Sequence, residues 1–282
     1  MMSKFTIPTE SSYIEAEGIR FAYRKFGQET GIPLIFFIHF RGTMENWDSN
    51  MIGVLAESRP IILFDNTGVG ESSGETPTTI TEMAKDAATF IKALGLEKVD
   101  TLGFSIGGFV AQELALQQPN LVRRIVLAGT APQSGVNDSR KDVYEAMTQA
   151  DGDANDALEN FLFLFYSPTE TSRTAGISSL KRILTQKKVE SSLQVRDAQL
   201  QAISQWAERD PEQKYDWLQK ITQPVLVTNG VKDIMVPTEN SYILTENLPY
   251  AQLIIYPDSG HGHLFQYPEQ FAEHVNLFLD SK

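Results

Sequence analysis

Apolar residues gather in six short runs, at residues 34–38, 61–64, 99–102, 124–128, 224–228 and 252–256. Runs this short, without strict alternation, fit strands covered on both faces. Residues 11–26 differ. They alternate loosely around Gly18, which predicts a hairpin of residues 13–16 and 19–23. Between the runs the period becomes helical. Met83, Ala84, Ala87, Ala88, Ile91 and Leu94 share one face behind a capping box of Thr79 and Glu82, and Gly95 closes the segment. Residues 106–118 form a second helix that Pro119 stops. Residues 238–247 and 268–279 are two more. Pro268 suits a first helical position, and Phe271, Val275 and Phe278 or Leu279 form the stripe. Alternating strands and helices predict an α/β fold, with a mainly parallel sheet and helices on both faces.

The alternation stops between residues 131 and 219. Helical runs replace it at 141–149, 154–165, 180–189, 193–206 and 211–218. These predict a helical cap, 131–219, inserted into a core made of 1–130 and 220–282. Most cap aromatics are expected to pack onto the sheet domain. Phe165, Tyr166 and Trp206, with Phe40, are candidates to line an apolar cleft beneath the cap.

Composition narrows the chemistry. The chain has 282 residues, 41% of them apolar and none of them cysteine. A disulfide scaffold, a thiol nucleophile and a Cys-ligated metal are excluded. The net charge of −12 comes without any Lys/Arg cluster, which argues against nucleic acid and anionic membranes as partners. Residues 33–40 are the longest apolar stretch and are too short to cross a bilayer, and residues 1–8 lack the apolar run of a signal peptide. A cytoplasmic protein acting on a small molecule is the default, and self-assembly into a homo-oligomer stays open. Residues 151–162 invite a calcium-loop reading that fails: Asp156 stands where Gly is needed and Leu162 where Glu is needed. No metal or cofactor site is expected.

One motif organises the rest. Gly103-Phe104-Ser105-Ile106-Gly107 follows an apolar strand and opens a helix. A strand turning at once into a helix strains its corner residue and needs small neighbours, and Gly103 and Gly107 supply them. Ser105 then projects as a nucleophile, with the N–H of Ile106 beside it. A serine hydroxyl needs a base, and the base needs an acid to fix its tautomer. Of four histidines, His261 sits in a glycine-flanked loop after the last apolar run, with His263 as its neighbour. Asp233 lies in the loop after the run at 224–228. Parallel strands deliver all three to one sheet edge. A second oxyanion donor is expected from residues 39–43, with the Arg41 N–H first and Phe40 as runner-up. Residues 65–72 form a glycine-rich loop expected to give structural support.

At this point the chain resembles the α/β-hydrolase superfamily, in particular its capped serine hydrolases of esterase-, lipase- and haloperoxidase-like type. The matching pieces are Ile38 to Gly42 with Trp47, Phe64 to Ser72, the Ser105 motif with Gly108, Asp233 with Val236-Pro237, and Gly260-His261-Gly262 with Phe265 and Pro268. The resemblance implies an eight-stranded, mostly parallel sheet whose second strand is antiparallel. It implies a Ser105–His261–Asp233 triad, and His39 shaping the oxyanion loop. Phe40 and Thr67 depart from the glycine and arginine usual at these places. Hydrolysis of a small, partly apolar carboxylic ester is the expected activity, with peracid formation as a side reaction of the family. Two rivals stand beside it: carbon–carbon bond hydrolysis of a ring-cleavage product, using Arg41, Arg173 or Arg196 for an anionic substrate, and a ligand receptor with little turnover.

Overall fold

The computed structural model describes residues 5, 7–136, 140–148, 154–186, 189, 191–208 and 215–281. The strands are β1 (Ser12–Ala16), β2 (Ile19–Gly27), β3 (Leu34–Phe37), β4 (Pro60–Phe64), β5 (Val99–Phe104), β6 (Val122–Ala128), β7 (Val225–Gly230) and β8 (Ala251–Tyr256). The core helices are α1 (Ser49–Ala56), α2 (Ile80–Ala93) and α3 (Ile106–Gln117). Four cap helices follow β6: α4 (Lys141–Thr148), α5 (Ala154–Phe165), α6 (Glu170–Ile183) and α7 (Leu193–Trp206). The chain ends with α8 (Glu239–Asn247), the one-turn α9 (His263–Gln266) and α10 (Pro268–Asp280).

All eight strands join one sheet in the order β1-β2-β4-β3-β5-β6-β7-β8. β2 runs antiparallel to β1 and β4, and the other pairs are parallel. β3 to β7 are covered on both faces because helices pack on each side, giving two apolar layers. Phe21, Ile35, Ile62, Phe90 and Ile125 lie in one layer, and Leu34, Trp47, Leu63, Val126 and Phe271 in the other. The run at 252–256 was expected to be doubly covered. It is the outer edge strand, and most of β8 is half-buried.

The cap follows the sequence pattern less closely. The helix expected over 180–189 begins ten residues earlier, at Glu170, and ends at Ile183. Thr169 caps it by accepting the Ser172 N–H at 3.2 Å. Its first half looks unhelical because Gly176 interrupts it. A Cβ there would come within 2.5 Å of Leu162 on α5, so close helix packing dictates the glycine. Residues 215–220 form a 3-10 turn where a helix over 211–218 was expected, and 211–214 lie outside the described residues. So do 151–153 of the rejected calcium loop and Gln149. α1 was not anticipated; Asp48 caps it, accepting the N–H groups of Asn50 and Met51.

Candidate active site

Ser105 stands at the β5–α3 corner with φ 58° and ψ −124°, a strained conformation for a residue with a side chain. Three glycines allow the corner. A Cβ on Gly103 would lie 2.3 Å from Gly107 O, on Gly107 2.0 Å from Phe37 O, and on Gly108 2.4 Å from Thr130 Oγ1. The backbone is locked as well. Ser105 N–H donates to Ala128 O at 3.0 Å, and Ser105 O accepts from Gly108 N–H and Thr130 Oγ1, both at 2.8 Å.

β7 and β8 end at the same sheet edge as β5. The β7 loop places Asp233 and the β8 loop places His261. His261 Nδ1–H donates to Asp233 Oδ2 at 2.7 Å, with both side chains fully buried. Asp233 Oδ1 accepts the N–H groups of Met235 and Val236, each at 2.9 Å. With its Nδ1 proton committed, His261 carries a lone pair on Nε2. That atom is buried and has no partner among the described residues. The imidazole packs on Phe104, the residue before Ser105, with ring centroids 4.7 Å apart. Gly129 leaves room beside it, since a Cβ there would sit 3.1 Å from Nδ1.

Buried His263 and half-buried His39 are both neutral near pH 7 and hydrogen-bonded to the backbone. His263 Nδ1–H donates to His261 O at 3.1 Å, so its Nε2 accepts from Thr228 Oγ1 at 3.0 Å. Burial lowers its pKa to about 3, helped by the nearby His261. His39 Nδ1–H donates to Phe40 O at 2.9 Å, and burial lowers its pKa to about 4. Asp65, in the glycine-rich loop, accepts the N–H groups of Met44 and Glu71 and ties that loop to the segment after β3. Burial pushes its pKa up to about 6.

Arg41, the first choice for the second oxyanion donor, gives its N–H to Gln199 Oε1 at 2.7 Å. The reason is the cap: Gln199 is a buried α7 residue that reaches the turn where Arg41 sits at φ 59°. Phe40 instead borders, with Ser105 and Ile106, a cavity of about 310 Å³ between core and cap. Its walls are mostly apolar, with Phe109 from α3, Leu200 and Ile203 from α7, and Met235 from the Asp233 loop. Arg140 also lines it. Its guanidinium is held by Asp142, with Nη2 2.6 Å from Oδ2. A smaller cavity of about 80 Å³ adjoins it, sharing Phe109, Ile203 and Met235 and bounded by Trp206.

A sequence model described as alpha/beta hydrolase fold matches residues 33–268. The chain belongs to the alpha/beta hydrolase fold family. A solved alpha/beta hydrolase fold protein from Chitinophaga pinensis is 41% identical, with 98% of this chain and 99% of that chain covered and a TM-score of 0.89. A pimeloyl-[acyl-carrier protein] methyl ester esterase from Pectobacterium atrosepticum is 27% identical over 83% of this chain and 89% of its own. The proline iminopeptidase PfmaB from Pestalotiopsis fici is 27% identical over 89% of this chain and 92% of its own. The chain is a hydrolase-type enzyme.

In this hydrolase two of the expected cleft residues lie elsewhere. Phe165 packs edge-on against His261, with centroids 5.4 Å apart, and the Tyr166 hydroxyl bonds Ser179 within the cap. Both are drawn away because α5 packs on the His261 loop and on α6. Trp206 borders the smaller cavity and not the larger one. Arg140 and Gln199 were missed, since both reach the site through tertiary contacts that the neighbouring sequence does not signal. Among the described residues, no group of three His, Cys, Asp or Glu side chains could hold a metal ion, and no helix is long and apolar enough to cross a membrane.

Proposed function

We propose that this hydrolase cleaves small, uncharged, largely apolar carboxylic esters through a Ser105–His261–Asp233 triad. The observation that carries the reading is the buried His261–Asp233 pair, which leaves Nε2 with a lone pair unused by the fold. His261 Nε2 takes the Ser105 proton as Oγ attacks the carbonyl carbon. The oxyanion forms against the N–H groups of Ile106 and Phe40, the Arg41 N–H being taken by Gln199. The carbonyl re-forms, the carbon–oxygen bond to the alcohol breaks, and the alkoxide leaves with the proton from His261. Water then gives a proton to His261 and attacks the acyl-enzyme. The carboxylic acid departs as Ser105 regains its proton. The cap is taken as 131–219, over a core of 1–130 and 220–282.

The cavity wall favours an ester over an anionic ring-cleavage product. Arg173 pairs with Glu159 and Arg196 with Asp197, and neither borders the cavity. Among the described residues Arg140 is the one cation in the wall, and it already has its carboxylate. A named methyl ester esterase among the relatives supports the same choice. Turnover of p-nitrophenyl acetate, butyrate and octanoate by wild type and Ser105→Ala tests the reading. Loss of at least ~10³-fold in kcat with Ser105→Ala is expected. Unchanged turnover in that variant overturns the triad, and tight ligand binding without turnover in the wild type would favour the receptor.

A further inference from the structure

Residues 165–172 of the cap grip the loop that carries His261. Gly262 N–H donates to Phe165 O at 2.7 Å. Thr169 Oγ1 donates to Asp258 Oδ2 and Ser172 Oγ to Gln266 Oε1, both at 2.7 Å. Gln266 Nε2 closes the set on Asp258 O at 2.8 Å. The approach is close enough to dictate sequence. A Cβ on Gly260 would lie 3.0 Å from Phe165 O, and one on Gly262 3.1 Å from Phe165 Cβ. The glycines flanking His261 thus make room for cap backbone as well as for the site.

The Phe165 ring is also one wall of the imidazole. It meets His261 edge-on at 75°, while Phe104 lies at 34° with centroids 4.7 Å apart. His39 and Phe265 brace the Phe165 ring in turn, at 5.4 and 6.4 Å. Among the described residues His261 has a side-chain hydrogen bond only at Nδ1. A ring held by one hydrogen bond can still pivot about it. Apolar walls remove that freedom and so fix where Nε2 points.

We propose that the Phe165 side chain is a positioning residue for His261. The proposal rests on the reading of His261 as the general base, and its test separates the two. A fluorophosphonate probe reacts with Ser105 only when the base is in place. Wild type is expected to be labelled and Ser105→Ala not; labelling of Ser105→Ala at the wild-type rate defeats the reading of the site, and the proposal with it.

With that arm passed, Phe165→Ala is expected to label about 20-fold more slowly. Its kcat should fall by a similar factor with KM within about threefold of wild type. Leu162→Ala truncates another buried residue of the same helix, packed against Gly176. It is expected to lower the melting temperature comparably and yet label at the wild-type rate. If Phe165→Ala does not fold, Phe165→Leu, which keeps bulk but loses the flat face, is read the same way with about a fivefold loss expected. Wild-type labelling by the folded Phe165 variant, or equal slowing in the Leu162 variant, overturns the proposal.

Discussion

Asp233 Oδ2 sits 2.7 Å from His261 Nδ1, and the carboxylate is aimed there by its own turn, because Oδ1 is occupied by the Met235 and Val236 N–H groups. In Asp233→Asn the amide oxygen can keep those two bonds, which turns the NH₂ toward Nδ1. The imidazole must then offer Nδ1 as acceptor and carry its proton on Nε2, where it cannot accept the Ser105 proton. The variant should fold normally and lose about 10³- to 10⁴-fold in kcat with little change in KM. Steady-state kinetics beside a melting curve checks this, and a variant within tenfold of wild type removes Asp233 from the triad.

A second prediction concerns acid stability. His263 has a pKa near 3 in the folded protein, against about 6.5 when unfolded. Between those values the unfolded chain binds the extra proton. The contribution of His263 to stability is therefore full above about pH 6.5 and drains away as pH falls toward 3. His39, at about 4, acts in the same direction. Asp65, raised to about 6, acts oppositely: folding favours its protonated form, so its contribution is lost as pH rises through about 4 to 6. His263→Gln removes one of these groups. The loss of urea stability between pH 7 and 4.5 should shrink by roughly 1–3 kcal/mol relative to wild type. An unchanged loss would mean that His263 does not titrate this way.

How far the sequence could be read depends on whether a signal is local. The Ser105 corner was legible because Gly103 and Gly107 answer a steric demand within five residues. The buried strands announced themselves as apolar runs, and α2 by its Thr79 N-cap, which accepts the Glu82 N–H without the reciprocal bond of a full capping box. α6 was misplaced because Gly176 answers to Leu162 on α5 and to Tyr166 just beyond its end, which no period within 170–183 reports. The role of Phe165, the reach of Gln199 to Arg41 and the position of Arg140 are likewise contacts between distant segments. Cavity walls are built from such contacts, so the pairing of His261 with Asp233 was more legible than the lining of the cavity.

Asp48 and Arg182 fasten the cap to the core. Arg182 Nε and Nη2 reach Asp48 Oδ2 at 2.9 and 2.8 Å, while Oδ1 caps α1. Asp48 is fully buried, and burial raises its pKa even with the arginine present. Arg182→Met would strand that carboxylate and should cost about 2 kcal/mol, a figure reduced because the arginine is a quarter exposed. Adding Asp48→Asn should recover part of the loss, since Asn keeps the cap without the charge. Urea unfolding of the two single variants and the double variant measures the coupling. Strict additivity would show that the pair contributes nothing.

The last prediction tests where the acyl chain goes. Phe109 borders both the larger cavity and the smaller one, stacked on Trp206 with centroids 5.3 Å apart at 14°. With Ile203, Ala207, Met235 and Val236 it lines both the cavity of about 310 Å³ beside Ser105 and the one of about 80 Å³. Phe109→Ala should join the two and let a longer chain bury additional methylenes, each contributing up to about 0.8 kcal/mol. Only part of that appears as selectivity, because truncation also loosens the wall. The ratio of kcat/KM for p-nitrophenyl octanoate to that for the acetate should therefore rise about tenfold, with Phe109→Leu intermediate. A fall in both values by the same factor would mean that only packing was lost. The acyl group would then lie on the Arg140 side, and Leu200 would be the wall to shorten.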